Sequence, residues 1–304
     1  MTAKTLKSDA LLLLTAAIWG FAFVAQRVGM EHVGPLTFNA VRFALGGLTL
    51  VPLLVIRNHR ARRSDSVPPT RAIPVVLAGG IAGLALTMGA SFQQIGIVYT
   101  TAGKAGFITG LYVVLAPILG LFWFQWSGAG VWAGALCAVT GLFLLSVQER
   151  FTVSLGDSLV LASAFFWAGH VLIIGWLSPK VDSIALAFTQ YATCSLLSFA
   201  AGLLFESVNL QGFLSATVPI LYAGVLSVGI AYTLQVVAQK EAPPAHAAII
   251  LSLEAAFAVL GGWVLLGETL SAREIAGCAL MLAGVLLSQL SRRPFDNKAN
   301  QPLG

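Results

Sequence analysis

Arg42, Lys104, His170, His246 and Glu254 stand within or at the edges of long apolar runs. An ionisable side chain at membrane depth costs at least ~2.5 kcal/mol on insertion scales, so each one asks for a reason. Arg42 carries a fork of N–H donors that suits a solute carboxylate. The same residue can serve instead as a structural partner, or snorkel to the headgroups. Lys104, flanked by Gly103 and Gly106, and His246 change protonation readily, which would let them couple proton movement to solute movement. Interfacial snorkelling is the competing role for both. Glu254 is the deepest carboxylate, either a proton site and partner for a solute ammonium or a fixed group that ties helices together. His170 offers the same two roles more weakly. Gln93, Gln190 and Gln235, with Gln94 and Asn39 nearby in type, supply neutral hydrogen bonding at depth, as a cavity lining or as helix glue. Trp19, Trp167, Tyr112 and Tyr232 would wall a pocket or simply pack. The candidate solute-binding set is therefore Arg42, Gln93, Gln190, Gln235, Trp19, Trp167, Tyr112 and Tyr232. The candidate coupling set is Lys104, His246, Glu254 and His170.

Other chemistries lack their residues. No His-Glu-x-x-His, paired Asp or serine-nucleophile pattern occurs, so an enzyme is not expected. No GxxxxGK[ST] segment occurs, which speaks against a nucleotide-driven pump. Cys137, Cys194 and Cys278 form no CxxC or zinc spacing, and no metal or cofactor is expected. The net charge of +5 comes without a basic stripe interleaved with aromatics, so nucleic acid is not an expected partner.

The elements that must position these residues follow from composition. Hydrophobic residues make up 58% of the 304 and charged residues 10%, against about 25% charged in a soluble domain. Such a chain cannot clothe a water-facing surface, so lipid is its expected solvent. A spanning helix needs about 20 apolar residues. Runs of that kind predict helices over 9–28, 36–56, 73–97, 101–123, 129–147, 156–177, 183–205, 216–238, 244–266 and 272–290. The run after Lys4 and Lys7 has no small-residue cleavage site and reads as an uncleaved first helix. Lys4, Lys7, the Arg57–Arg71 segment, Lys180, Lys240, Arg292, Arg293 and Lys298 fall on one side of this topology. Only Arg27, Lys104, Arg150 and Arg273 fall on the other. The bias predicts cytoplasmic termini and a multi-pass protein of the inner (plasma) membrane.

The sequence also repeats itself. A shift of 148 residues carries Asp9 to Asp157, Trp19 to Trp167, and Thr37–Phe43 onto Ala185–Tyr191. A shift of 142 carries Gln93 to Gln235 and Lys104 to His246, and a shift of 143 carries Gly134 and Gly141 to Gly277 and Gly284. Five helices is an odd number, so the second copy must be inverted. The expected fold is an all-α membrane protein of about ten transmembrane helices, built as two inverted five-helix repeats over 1–150 and 151–304, with a site between the halves.

Several segments then resemble the EamA-like branch of the drug/metabolite transporter superfamily: Ile18-Trp19-Gly20, Val41-Arg42-Phe43, the run Tyr99–Tyr112, Ser252-Leu253-Glu254-Ala255 and Gly267-Glu268-Thr269-Leu270. The family pattern usually has Pro where this chain has Ala255. The resemblance implies a carrier of small metabolites, often an exporter of amino acids or related compounds. The expected partners are thus a small-molecule solute, the lipid bilayer and protons. The other classes to exclude are a membrane channel and a non-transporting scaffold.

Overall fold

The computed structural model describes residues 3–63, 73–100, 102–123, 125–146, 154–207, 210–266 and 271–290. Lys104 keeps a described backbone but its side chain lies outside the described set, as does the whole 267–270 motif. Among the described residues every regular element is helical: α1 (Ala3–Gly29), α2 (Pro35–Arg63), α3 (Val75–Val98), α4 (Ala102–Gly110), α5 (Tyr112–Phe122), α6 (Ala129–Ser146), α7 (Leu155–Leu177), α8 (Ser183–Phe205), α9 (Leu210–Ser215), α10 (Thr217–Leu221), a π segment (Tyr222–Tyr232), α11 (Thr233–Ala238), α12 (Pro244–Leu251), α13 (Glu254–Leu266) and α14 (Ala272–Leu290). Eight stretches are long and apolar enough to cross a membrane, and Ala129–Leu145 and Pro244–Leu260 are shorter apolar helices. Leucine, valine, isoleucine and phenylalanine exposed along α1, α2, α8 and α10 face a solvent that does not penalise them, because lipid tails are as apolar as the side chains.

Where the hydrophobic effect cannot pull helices together, close backbone approach must. Glycines supply it. On α6 and α14, a Cβ added to Gly134 would lie 2.5 Å from the Gly284 carbonyl oxygen, and one on Gly141 2.5 Å from that of Gly277. The reverse distances are 2.6 Å and 2.8 Å. Each glycine thus faces the repeat image of the other, the pattern of an antiparallel pair about a two-fold axis. The second self-paired contact joins α2 and α8. Here carboxylates tie both ends. Glu206 accepts from the Leu36 and Thr37 amides at 2.8 Å each, answering orphan donors at the start of α2. Asp182 caps α8 through the Ala185 amide and pairs with Arg57 of α2.

The remaining contacts also come in matched sets. α3 lies on α7 and α8; α1 and α2 lie on the π segment; α1 lies on α12 and α13 as α7 lies on α4 and α5. These contacts surround a central space.

Three local departures from plain α-helix shape that space, and apolar patterning does not announce them. The run expected as one helix over 101–123 breaks at Leu111 (φ −60°, ψ −15°). The run over 244–266 breaks at Ser252 (φ −61°, ψ −15°). Each break is one tight turn, with Leu111 donating to Ile108 O and Leu253 to Ile250 O, the i−3 pattern of a 3₁₀ turn. The second forms with Ala255 in place of the family proline, so the turn itself, not a missing N–H, makes the bend. The run over 216–238 holds the π segment, which has no counterpart in α3.

Candidate functional site

Trp19, Phe23 and Gln26 of α1, Arg42 of α2, Gln93 of α3, Thr109 of α4, Tyr112 of α5, Trp167, His170 and Val171 of α7, Ser227 and Tyr232 of the π segment, Gln235 of α11, Leu251 of α12 and Glu254 of α13 line one cavity. About 490 Å³ of unfilled space lies among them, the open mouth included. α6, α8 and α14 contribute no lining residue; they are the scaffold.

The two tight turns deliver two of the polar groups. Tyr112 is the first residue of α5 and Glu254 the first of α13, and a shift of 142 relates them. The turn in each helix therefore swings the same position into the cavity, once as a phenol and once as a carboxylate. Tyr112 sits in the field of Glu254, and its hydroxyl has no hydrogen-bond partner of normal geometry.

Arg42 is 2% exposed. Its Cζ lies 5.0 Å from the Phe43 ring centroid and 5.7 Å from that of Phe38, a collar worth about 0.5–2 kcal/mol. Among the described residues no carboxylate forms an ion pair with it, and its Nε has no hydrogen-bond acceptor. A buried cation left this way costs several kcal/mol.

Tyr232 is the hub of the aromatic wall. Its ring lies 4.5 Å from Trp19, 6.0 Å from Trp167 and Phe43, 6.3 Å from His170 and 6.4 Å from Tyr191. Arg42 and Glu254 each act electrostatically on Tyr232, and all three line the cavity.

The amides divide by layer. Gln93 donates to Thr109 at 3.3 Å, and Gln235 donates to Gln239, which in turn donates to the Val171 carbonyl, both at 2.9 Å. Oε1 of Gln235 and of Gln26 are left without donors. Gln190 does not reach the cavity. It lies behind His170 and holds its Nε2 at 2.9 Å. Asn39 is likewise buried off the lining.

Of the coupling candidates, Glu254 and His170 line the cavity, but His246 does not. It sits at the end of the bundle that carries the N-terminus, with Nδ1 2.9 Å from Ser288 Oγ and Nε2 3.2 Å from Asp9 Oδ1. Ser288 Oγ also donates to the Val285 carbonyl at 2.7 Å. Asp9 is the partner sequence reading overlooked, although its match with Asp157 marked it. Gln26, Thr109, Ser227, Phe23, Val171 and Leu251 were also overlooked. Gln26 alone carried a signal, as an amide deep in the first apolar run.

The profile of the EamA-like transporter family matches residues 6–147 and again residues 154–290. The chain belongs to the EamA-like transporter family. Its membrane-transporter character agrees with its relatives. An uncharacterized transporter of Archaeoglobus fulgidus is 31% identical over 94% of this chain and 87% of its own length. The inner membrane transporter YedA of Escherichia coli, also named uncharacterized, is 26% identical over 92% and 90%. The transporter YoaV of Bacillus subtilis is 22% identical over 89% and 92%. A crystal structure of another protein superposes with a TM-score of 0.73 at 18% identity, covering 94% of this transporter and 98% of that chain, which shows the shared fold.

Proposed function

We propose that this transporter moves a small polar metabolite such as an amino acid or derivative, outward across the inner membrane, by alternating access between two inverted repeats spanning 1–150 and 151–304. Arg42 carries the reading: a buried cation, opening on the central cavity, that no carboxylate of the described chain neutralises. A solute carboxylate would supply the missing charge, with charge-assisted hydrogen bonds worth about 1.5–3 kcal/mol. Gln93 and Gln235, repeat images that both line the cavity, offer further hydrogen bonds, and the Trp19–Tyr232–Trp167 wall excludes water. Gln190 contributes by orienting His170.

Glu254 is the coupling group in this reading. Among the described residues it has no cationic partner, so it can hold either a proton or the solute ammonium, but not both. His170 lies on the same wall. His246, paired to Asp9 at one end, tracks the opening of that end. In this reading both termini are cytoplasmic, the topology that the bias of lysine and arginine favours.

The test begins with an untargeted metabolite comparison of cells with and without the protein, followed by flux of the accumulated compound in proteoliposomes. Saturable flux that is faster in exchange than in net flow is the expected result. Flux that never saturates would show a channel, and no flux from any metabolite would show a non-transporting scaffold.

A further inference from the structure

We propose that the two repeat-related tryptophans of the cavity have different roles, set by a one-residue insertion: the insertion fixes Trp19 as wall and leaves Trp167 to donate its indole N–H to an oxygen acceptor of the solute. The inference rests on the cavity being the solute site.

Packing landmarks locate the insertion. A Cβ on Gly83 would lie 3.0 Å from the Gln190 carbonyl oxygen and 2.5 Å from Thr193 Cβ. In the other half, a Cβ on Gly224 would lie 3.2 Å from the Arg42 carbonyl oxygen and 2.7 Å from Leu45 Cβ. Gln190 and Thr193 follow Arg42 and Leu45 by 148 residues, so Gly83 and Gly224 are counterparts, 141 apart. Further along, Gly96 abuts the Gly156 carbonyl, and the Ala238 carbonyl accepts from Ser8 Oγ at 2.8 Å. Gly156 follows Ser8 by 148, so Gly96 and Ala238 are counterparts, 142 apart. Between these landmarks the second half holds one residue more than the first.

The π segment overlaps the same interval, from Gly224 to Tyr232. Its i→i+5 bonding takes an extra residue into a turn without shifting the helix on either side. It also brings residues five apart onto one face. Ser227 and Tyr232 are five apart, and both engage Trp19. The indole N–H donates to the Ser227 carbonyl at 3.3 Å, and the ring lies 4.5 Å from Tyr232. Trp19 is held at two points with its donor spent.

Trp167 faces the unbroken α3 instead. It lies flat over Gly89, 3.2 Å from where a Cβ would stand, and stacks on Tyr232 at 6.0 Å and 28°. The residue is 7% exposed, and its Nε1 is buried without a partner. A desolvated, unanswered donor on the wall of a cavity destabilises the empty protein. A solute oxygen relieves it.

Thermal unfolding of the purified full chain in lipid nanodiscs, with no solute added, separates the two rings. Trp19→Phe removes a made hydrogen bond and is expected to lower the midpoint by about 2–4 °C; Trp167→Phe removes an unmade one and is expected to leave the midpoint level or higher. Deleting Val225 takes out the extra residue, and in that background Trp19→Phe is expected to lose its cost. Trp167→Phe falling as far as Trp19→Phe would overturn the proposal. So would a Trp19→Phe penalty undiminished by the deletion. In proteoliposomes, with the solute the wild type moves, Trp167→Phe is expected to raise KM roughly tenfold at unchanged maximal rate. A lowered rate at unchanged KM contradicts the donor role. A wild type that moves no solute sinks the transport reading alone, since the unfolding midpoints still decide between the two rings.

Discussion

The two halves meet through the same helix contacts, yet they face the cavity with different chemistry. Where the first half has Arg42 on the lining, the second has Gln190 behind it; where the first has Tyr112 the second has Glu254; where the second has Tyr232 on the lining, the first has Ala90 off it. Scaffold positions behave in the opposite way. Gly134, Gly141, Gly277 and Gly284 keep both identity and contact across the repeat. The physical constraint differs between the two sets. Backbone contact between α6 and α14 tolerates nothing larger than glycine on either side. A cavity bounded by two identical halves could offer only identical groups, and a solute with unlike ends needs unlike walls.

Breaking the coupling side of that asymmetry should have the largest effect. Glu254→Gln keeps the shape and removes the ionisable oxygen. Proton-driven accumulation is expected to vanish while solute exchange survives, read as uphill uptake against counterflow in the same proteoliposomes. Breaking the symmetric scaffold comes next. Gly141→Leu forces α6 off α14, and overpacking of this kind costs about 1–3 kcal/mol or more. The unfolding midpoint in nanodiscs is expected to fall by at least several degrees, with Gly277→Leu matching it because the contact is reciprocal. A clear difference between these two would break the two-fold account of the scaffold. Gln190→Ala sharpens the comparison further. It leaves Arg42 in place and frees His170, so KM is expected to rise only about threefold, the scale of one neutral hydrogen bond. The smallest change is expected from Glu206→Gln, which removes charge but not both acceptors from the start of α2. The midpoint should drop by about 1–3 °C with transport kinetics unchanged.

Much of this architecture is written in composition. Apolar runs long enough to span lipid place the crossings within a few residues, and repeated glycines and the Asp9–Asp157 match expose the duplication. The costly charges at Arg42 and Glu254 also lead to the cavity, because nothing but function or a partner keeps such groups at depth. The winding inside a run is a different matter. In an apolar run surrounded by lipid and apolar neighbours, no polar stripe marks which face is which, so a π turn and an α turn read alike. The turn at Ser252 forms without its expected proline for a related reason: one 3₁₀ bond costs little and leaves no residue signature. Gln190 was misplaced because an amide at depth looks the same whether it lines a cavity or supports the residue that does. The partner of His246 lay far from it in sequence, in the first helix.

The central claim is that Arg42 binds the carboxylate of the solute. Once the transported compound is known, its uptake should be compared with that of its uncharged carboxamide analogue, in the wild type and in Arg42→Gln. The account predicts that the wild type favours the carboxylate by about 10–100-fold, the scale of a charge-assisted pair, and that Arg42→Gln accepts both alike. Undiminished discrimination in Arg42→Gln would contradict it.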